Sequence, residues 1–274
     1  MLARQYQPAF TCRMGIENSF FCSFYRVATL GSGAGVAAIL FLKDHGVEYS
    51  KGFGLYMLQY AFHKISIALY SIIFFLFSWT YMCTHFGEYM PLLVAGYVIT
   101  LIITLFLILF CCSAGFHKVL FVVLNFLNTK QKGKFDHMIG ELGEQCRIME
   151  SASRYLLKNK PMVCGIIGLN LIKFCFWYGI PYLVFAGQGE IDLLEVMAIT
   201  SLSVMLAAVI PSPAGIGSTE FVFLSLFSGI VGTGLAGSAS LLYRFGTFVF
   251  PFLIGAIIVL GRQIRARRVA FTNQ

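Results

Sequence analysis

The sequence predicts an all-α, polytopic integral membrane protein with about six membrane segments, two of them broken or re-entrant helices in an inverted repeat. Composition is the first reason. Of the 274 residues, 58% are hydrophobic and 12% are charged, and a soluble domain carries about twice that charge. The second reason is run length, because several apolar runs reach the roughly 20 residues that a spanning helix needs. The third is Ile210-Pro211-Ser212-Pro213-Ala214-Gly215-Ile216-Gly217-Ser218-Thr219-Glu220, a Pro/Gly break between two apolar runs. Proline lacks a backbone donor and glycine weakens a helix, so no helix passes through this stretch unbroken. At membrane depth such a break is tolerated only against protein or a wet cavity, which makes it a candidate site.

In chain order, residues 1–18 hold Arg4 and Arg13 but no apolar core before Phe20, unlike a signal peptide. The first half, 19–114, contains an interrupted segment, Ser19 to Leu42, and clean spans at Leu55 to Met82 and Pro91 to Ala114. A connection at 115–160 follows. The second half, 161–262, has clean spans at Met162 to Ala186 and Gly237 to Leu260, with the interrupted Leu193 to Ile230 between them. A basic tail fills 263–274, and no stretch is polar and long enough for a second domain.

Lys and Arg set the expected orientation. The connection holds Lys118, Lys130, Lys132, Lys134, Arg147, Arg154, Lys158 and Lys160, and the tail holds Arg265, Arg267 and Arg268 just after Arg262. The positive-inside rule places both, and both termini, in the cytoplasm of a bacterial cell (inner) membrane. The opposite loops, Thr84 to Tyr89 and Gly187 to Asp192, have acids but no Lys or Arg. A basic rim facing anionic headgroups therefore accounts for the net charge of +8, and no nucleic-acid partner is expected. Within the connection, Phe135, Met138, Ile139, Leu142, Cys146, Met149 and Leu156 recur at helical spacing. This is an amphipathic helix, lying on the membrane face, packed under the bundle or binding a partner.

The eight cysteines read as small apolar side chains in a reducing setting. No Cys-x-x-Cys pair or Cys/His ligand spacing occurs, so neither a metal nor a cofactor is expected.

Leu30-Gly31-Ser32-Gly33-Ala34-Gly35-Val36 can be laid on Ile210-Pro211-Ser212-Pro213-Ala214-Gly215-Ile216 residue for residue, with Ser, Ala and Gly retained. Each copy interrupts an apolar segment. Three clean spans separate them, so the first break is approached from the cytoplasm and the second from outside. Many transporters hold substrate between two such broken helices near the midplane.

Charges within apolar segments supply further candidates. An ionised group in hydrocarbon costs about 2.5 to 3.5 kcal/mol even on insertion scales, so it usually faces a partner or an aqueous cavity. Lys64, beside His63, either snorkels to the inner headgroups or meets a lipid phosphate. Lys173 is central in its span and shares a helix face with Asn170. Glu220 and Arg244 either lock two helices as a pair or work on substrate.

The block Pro211-Ser212-Pro213-Ala214-Gly215-Ile216-Gly217-Ser218-Thr219-Glu220 resembles the Pro-x-Pro-Gly-Gly-x-Gly-x-x-Glu signature of the lysylphosphatidylglycerol synthase transmembrane (flippase) family. Tyr243-Arg244, Pro251 and Gly255 resemble its last-helix pattern. Leu42-Lys43-Asp44-His45-Gly46-Val47 and Gln59 to Tyr70 resemble the segment after its first Gly-rich break. Where many members carry a Gly-Gly-Gln-Pro-like first break, this chain has Gly33-Ala34-Gly35-Val36. The family's usual first two helices have no counterpart before Phe20, and the chain ends soon after its last helix. The expectation is that it resembles the translocating half, without the soluble aminoacyltransferase domain.

The resemblance implies a flippase moving a phospholipid or lipid-linked headgroup, such as aminoacyl-phosphatidylglycerol, between leaflets. Its alternatives are a phosphatidylglycerol lysyltransferase component, serving lipid modification and cationic-peptide resistance, and a non-transporting membrane subunit. Against the enzyme, the chain has no nucleotide loop and no Ser/His/Asp or Cys/His arrangement. The expected translocation residues are Gly31, Ser32, Gly33, Gly35, Lys64, Lys173, Pro211, Ser212, Pro213, Gly215, Gly217, Glu220, Tyr243 and Arg244, with no catalytic residue. Lys173 and Arg244 are assigned to anionic groups, and Glu220 to a cationic headgroup or to Arg244. Membrane phospholipid, a separate synthase chain and a second copy of the protein are the expected partners.

Overall fold

The computed structural model describes residues 2–130, 136–187 and 191–272, and among them it is helical throughout with no strand. Lys132, Lys134, Phe135 and part of the 187–192 loop lie outside the described residues. The helices are α1 (Cys12–Ala28), α2 (Gly33–Asp44), α3 (Tyr49–Phe77), α4 (Trp79–Phe86), α5 (Met90–Cys112), α6 (Ala114–Lys130) and α7 (Asp136–Lys158). They continue with α8 (Lys160–Gly179), α9 (Tyr182–Phe185), α10 (Leu193–Ala207), α11 (Ser218–Val231), α12 (Thr233–Arg244) and α13 (Phe250–Thr272). Among the described residues, five stretches are long and apolar enough to cross a membrane: Tyr49–Phe77, Leu93–Phe110, Lys160–Phe185, Pro213–Val231 and Thr233–Arg265.

Local chemistry sets the boundaries. Pro91 and Pro161 sit in the first turns of α5 and α8, where a missing N–H costs nothing. Glu195 Oε2 accepts from Asp192 N at 2.9 Å at the start of α10, half of a capping box. Helix α3 begins at Tyr49, six residues before the expected Leu55. Lys51 and two glycines suggest a loop there, but Lys51 pairs with Glu48 at 2.9 Å. Gly52 is buried against Ile39 of α2. Helix α1 likewise begins at Cys12 and not at Ser19, because Thr11 Oγ1 caps Met14 N at 3.3 Å.

Each interrupted segment folds as a helical hairpin, α1 with α2 and α10 with α11. Three of the stretches long and apolar enough to cross a membrane, in α3, α5 and α8, lie between the hairpins. Helix α1 also lies along α13, where Phe24 and Phe252 stack at 5.5 Å and a Cβ on Gly255 would run into the Phe20 carbonyl. That glycine is what lets the two backbones approach.

The largest apolar core joins Val196, Ile199 and Leu202 of α10 to Phe223 and Phe227 of α11 and to Phe75 and Leu93. A polar strut crosses beside it, with Ser71 Oγ 3.0 Å from the Tyr97 hydroxyl and 3.4 Å from Ser201 Oγ. Helix α7 packs under the bundle against α3, α5, α6 and α8, with Cys146 buried. The connection is less polar than its lysines suggest, because α6 exposes Val119, Val122, Val123 and Phe126. Cys12, Cys22, Cys83, Cys146, Cys164 and Cys175 are free thiols.

Candidate functional site

The second break is built on left-handed backbone. Helix α10 ends at Ala207, a single turn spans Pro213–Gly215, and Ala214, Gly215 and Gly217 have φ of 53°, 73° and 86°. Glycine adopts such angles freely and alanine does not, so Ala214 is the strained residue. Ser212 Oγ and Ser218 Oγ are 2.6 Å apart and close the loop. Glu220 Oε2 accepts from Gly217 N at 2.8 Å, which starts α11 with a carboxylate at the positive end of its dipole.

The first break is a Schellman turn. Gly31 N donates to Arg26 O at 2.7 Å and Leu30 N to Val27 O at 3.2 Å, with Leu30 and Gly31 at φ of 52° and 104°. Thr29 Oγ1 accepts from Gly33 N at 2.6 Å, and Ser32 Oγ donates to Thr29 O at 2.9 Å. Two of the expected site glycines are thus explained by packing. A Cβ on Gly33 would meet Thr29 Oγ1 at 2.6 Å, and one on Gly35 would meet the Tyr56 ring of α3 at 2.9 Å.

The two breaks touch. A Cβ on Gly31 would lie 3.2 Å from Ala214 N and 3.4 Å from Ala214 Cα, so the hairpin tips meet backbone to backbone. Arg244 closes the cluster from the end of α12. Its Nε is 2.6 Å from Glu220 Oε1, its Nη2 donates to Glu220 Oε2 at 2.8 Å, and Nη2 also reaches the Gly215 carbonyl. Glu220 and Arg244 are therefore an ion pair with one hydrogen bond, and the guanidinium also holds the loop.

Directly after Arg244 the helix widens into a π-helical turn, Phe245–Val249, a feature often found at functional positions. Pro251 has no N–H to give the Thr247 carbonyl four residues earlier. Arg26 Nη2 reaches that carbonyl at 3.5 Å, and the Arg26 and Arg244 guanidinium carbons each lie 5.4 Å from the centre of the Phe248 ring. Arg26 was not among the expected site residues. The rule that singled out Lys173, an ionised side chain inside an apolar segment, applies equally to it.

The remaining candidates make other contacts. Lys173 Nζ donates to Asn170 Oδ1 at 3.0 Å, is 3.2 Å from His63 Nδ1 and lies over the Phe174 and Trp177 rings at 4.4 and 5.1 Å. Lys64 Nζ lies 5.5 Å over the Tyr60 ring. Tyr243 is buried among Ile67, Tyr70, Phe174 and Tyr178, which links the Lys173 helix to the Arg244 helix. Pro211 and Pro213 are exposed at the tip of the second hairpin. An apolar cavity of about 640 Å³ flanks that hairpin, between Leu93 and Ile99 of α5, Leu206 of α10, and Phe221 and Leu226 of α11. No group of three or more potential metal ligands occurs among the described residues.

The family model for the lysylphosphatidylglycerol synthase TM region matches residues 4–255. The chain belongs to this family. The match takes in both hairpins and the arginines beside them. The chain is also similar to the UPF0104 membrane protein PH1989 of Pyrococcus horikoshii, 26% identical over 264 residues that cover 89% of this chain and 76% of that protein. No solved structure gives a significant match. Membership of the lysylphosphatidylglycerol synthase TM-region family agrees with a multi-pass membrane protein and with the signature read at Pro211 to Glu220.

Proposed function

We propose that this protein is a lipid translocator that moves a phospholipid or lipid-linked headgroup between leaflets. One observation carries the reading: the tips of the two hairpins meet at Gly31 and Ala214, beside Arg26, Glu220 and Arg244, and the three apolar spans between the hairpins support their entry from opposite faces. Broken backbone and charge at mid-depth are retained where a polar cargo must pass. Family membership supports the same reading, as does the apolar cavity beside the second hairpin, whose size suits an acyl chain. The headgroup would pass the junction while the tails stay in lipid, and rocking of one hairpin against the other would give alternating access. The distribution of Lys and Arg supports a bacterial inner-membrane protein with both termini in the cytoplasm.

The test is a leaflet-resolved assay on the purified chain in vesicles with fluorescent phosphatidylglycerol. Protein-dependent loss of inner-leaflet protection is expected. No movement with any phospholipid would refute the translocator. Lysyl transfer to phosphatidylglycerol from charged tRNA by the same vesicles would put the lysyltransferase in its place.

A further inference from the structure

The charges at the junction are unbalanced. Glu220 has Arg244 on both oxygens and Gly217 N on one of them, so its charge is already met. Other carboxylates lie toward helix ends. Glu195 caps α10, and Glu17 precedes Arg26 on α1 by nine residues, about 13 Å along the axis at the helical rise. Arg26, in contrast, has no acidic partner among the described residues. Its Nε is shielded from solvent and unbonded, and its one hydrogen bond is the 3.5 Å contact to Thr247 O. A guanidinium has five donors in a planar fork matched to phosphate. Arg244 approaches the same Phe248 ring, and Lys173 has a histidine, an amide and two rings around it but no carboxylate.

A cationic headgroup arriving here meets an acid already neutralised and a second, unneutralised arginine. An anion meets free donors in surroundings of low dielectric, where their attraction is strong. We propose that the headgroup accepted at the hairpin junction is a net anion, a phosphate-bearing lipid without compensating ammonium groups, and that Arg26 binds its phosphate. This rests on the translocator reading and narrows its cargo: phosphatidylglycerol fits, and lysyl-phosphatidylglycerol, with two ammonium groups on one phosphate, does not. The Thr247 carbonyl freed by Pro251 parks the guanidinium between cargoes.

The experiment measures binding separately from transport. The purified full chain in neutral detergent is titrated with phosphatidylglycerol, lysyl-phosphatidylglycerol and inorganic phosphate, and lipid retention is read by native mass spectrometry. Phosphatidylglycerol should bind at least about tenfold more tightly than the lysyl form, and Arg26→Gln should remove that preference. A tenfold change corresponds to about 1.4 kcal/mol. Arg26→Lys, which keeps the charge but loses the fork, should fall between. Equal affinity for the two lipids, or unchanged affinity in Arg26→Gln, overturns the proposal. Displacement of phosphatidylglycerol by an equal concentration of inorganic phosphate overturns it as well, since the ligand would then be the free ion. If Arg26→Gln does not fold, the comparison of the two lipids on the unaltered protein still decides. Anion-selective binding without movement in vesicles would refute the translocator and leave the charge selectivity standing; movement of both lipids at equal rates would do the reverse.

Discussion

At Glu220 two donors converge on Oε2 while the Arg244 Nε lies 2.6 Å from Oε1, and the same guanidinium also holds the Gly215 carbonyl. Removing either charge leaves the other partly buried and unmatched, which should lower stability by about 1 to 2 kcal/mol, between the values for exposed and buried pairs. Glu220→Gln, Arg244→Gln and the double variant, compared by thermal unfolding, should show strong non-additivity, with the double variant no worse than the poorer single one. Additive losses would deny the pair. Gly31 gives a second residue-scale prediction. Its φ of 104° and the Ala214 backbone opposite leave no room for a branched side chain, so Gly31→Val should cost about 1 to 3 kcal/mol and abolish transport. Wild-type transport in that variant would remove the tip contact from the mechanism. Cys146 gives a third. Burial between α7 and its neighbours pushes its thiol up from 9.0, so less thiolate forms at any given pH. Maleimide at pH 7 to 8 should modify exposed Cys12 first and reach Cys146 only on unfolding.

The second hairpin depends on residues that refuse to be helical. Replacing Pro211, Pro213, Gly215 and Gly217 together by Ala restores donors and removes a glycine penalty of roughly 1 kcal/mol per site, favouring a continuous helix from α10 into α11. The variant should still insert into membranes while losing lipid movement, as read by the leaflet assay. Retained movement would make the interruption a packing feature. The seam between α1 and α13 answers to a different substitution. Gly255→Leu drives a side chain into the Phe20 carbonyl, and overpacking of this kind costs about 1 to 3 kcal/mol. Because α1 carries Arg26, thermal stability and phosphatidylglycerol binding should fall together.

At the scale of the molecule, three of the stretches long and apolar enough to cross a membrane lie between the hairpins, and the hairpin tips meet; an odd number of crossings would put their entries on opposite faces. The orientation of the whole is a separate matter, expected from the Lys and Arg of α6, α7 and the end of α13. A topology reporter inserted at Lys132 or fused after Gln274 should read cytoplasmic, and one near Gly187 external. A cytoplasmic reading at Gly187 would sink both the orientation and the opposite entry of the two hairpins.

Composition and run length determined the membrane and the helices, because the cost of unpaired peptide groups in lipid leaves little else. Proline and glycine determined where the helices break, since φ restriction and missing donors are local properties readable at Pro211 or Gly31 without knowing any neighbour. Helix starts at Cys12 and Tyr49 were less legible, because a threonine cap and a Lys51–Glu48 pair lie in apparently polar stretches that are helical. The sequence left open whether Glu220 pairs with Arg244, and it passed over Arg26. Both depend on which helices lie side by side, and α1 packs closely on α13 at a glycine more than two hundred positions away. Tertiary structure alone decided that Arg26 and Arg244 would both approach one phenylalanine ring while Glu220 pairs with Arg244, because charge balance at a site is a sum over neighbours and neighbours are fixed by packing.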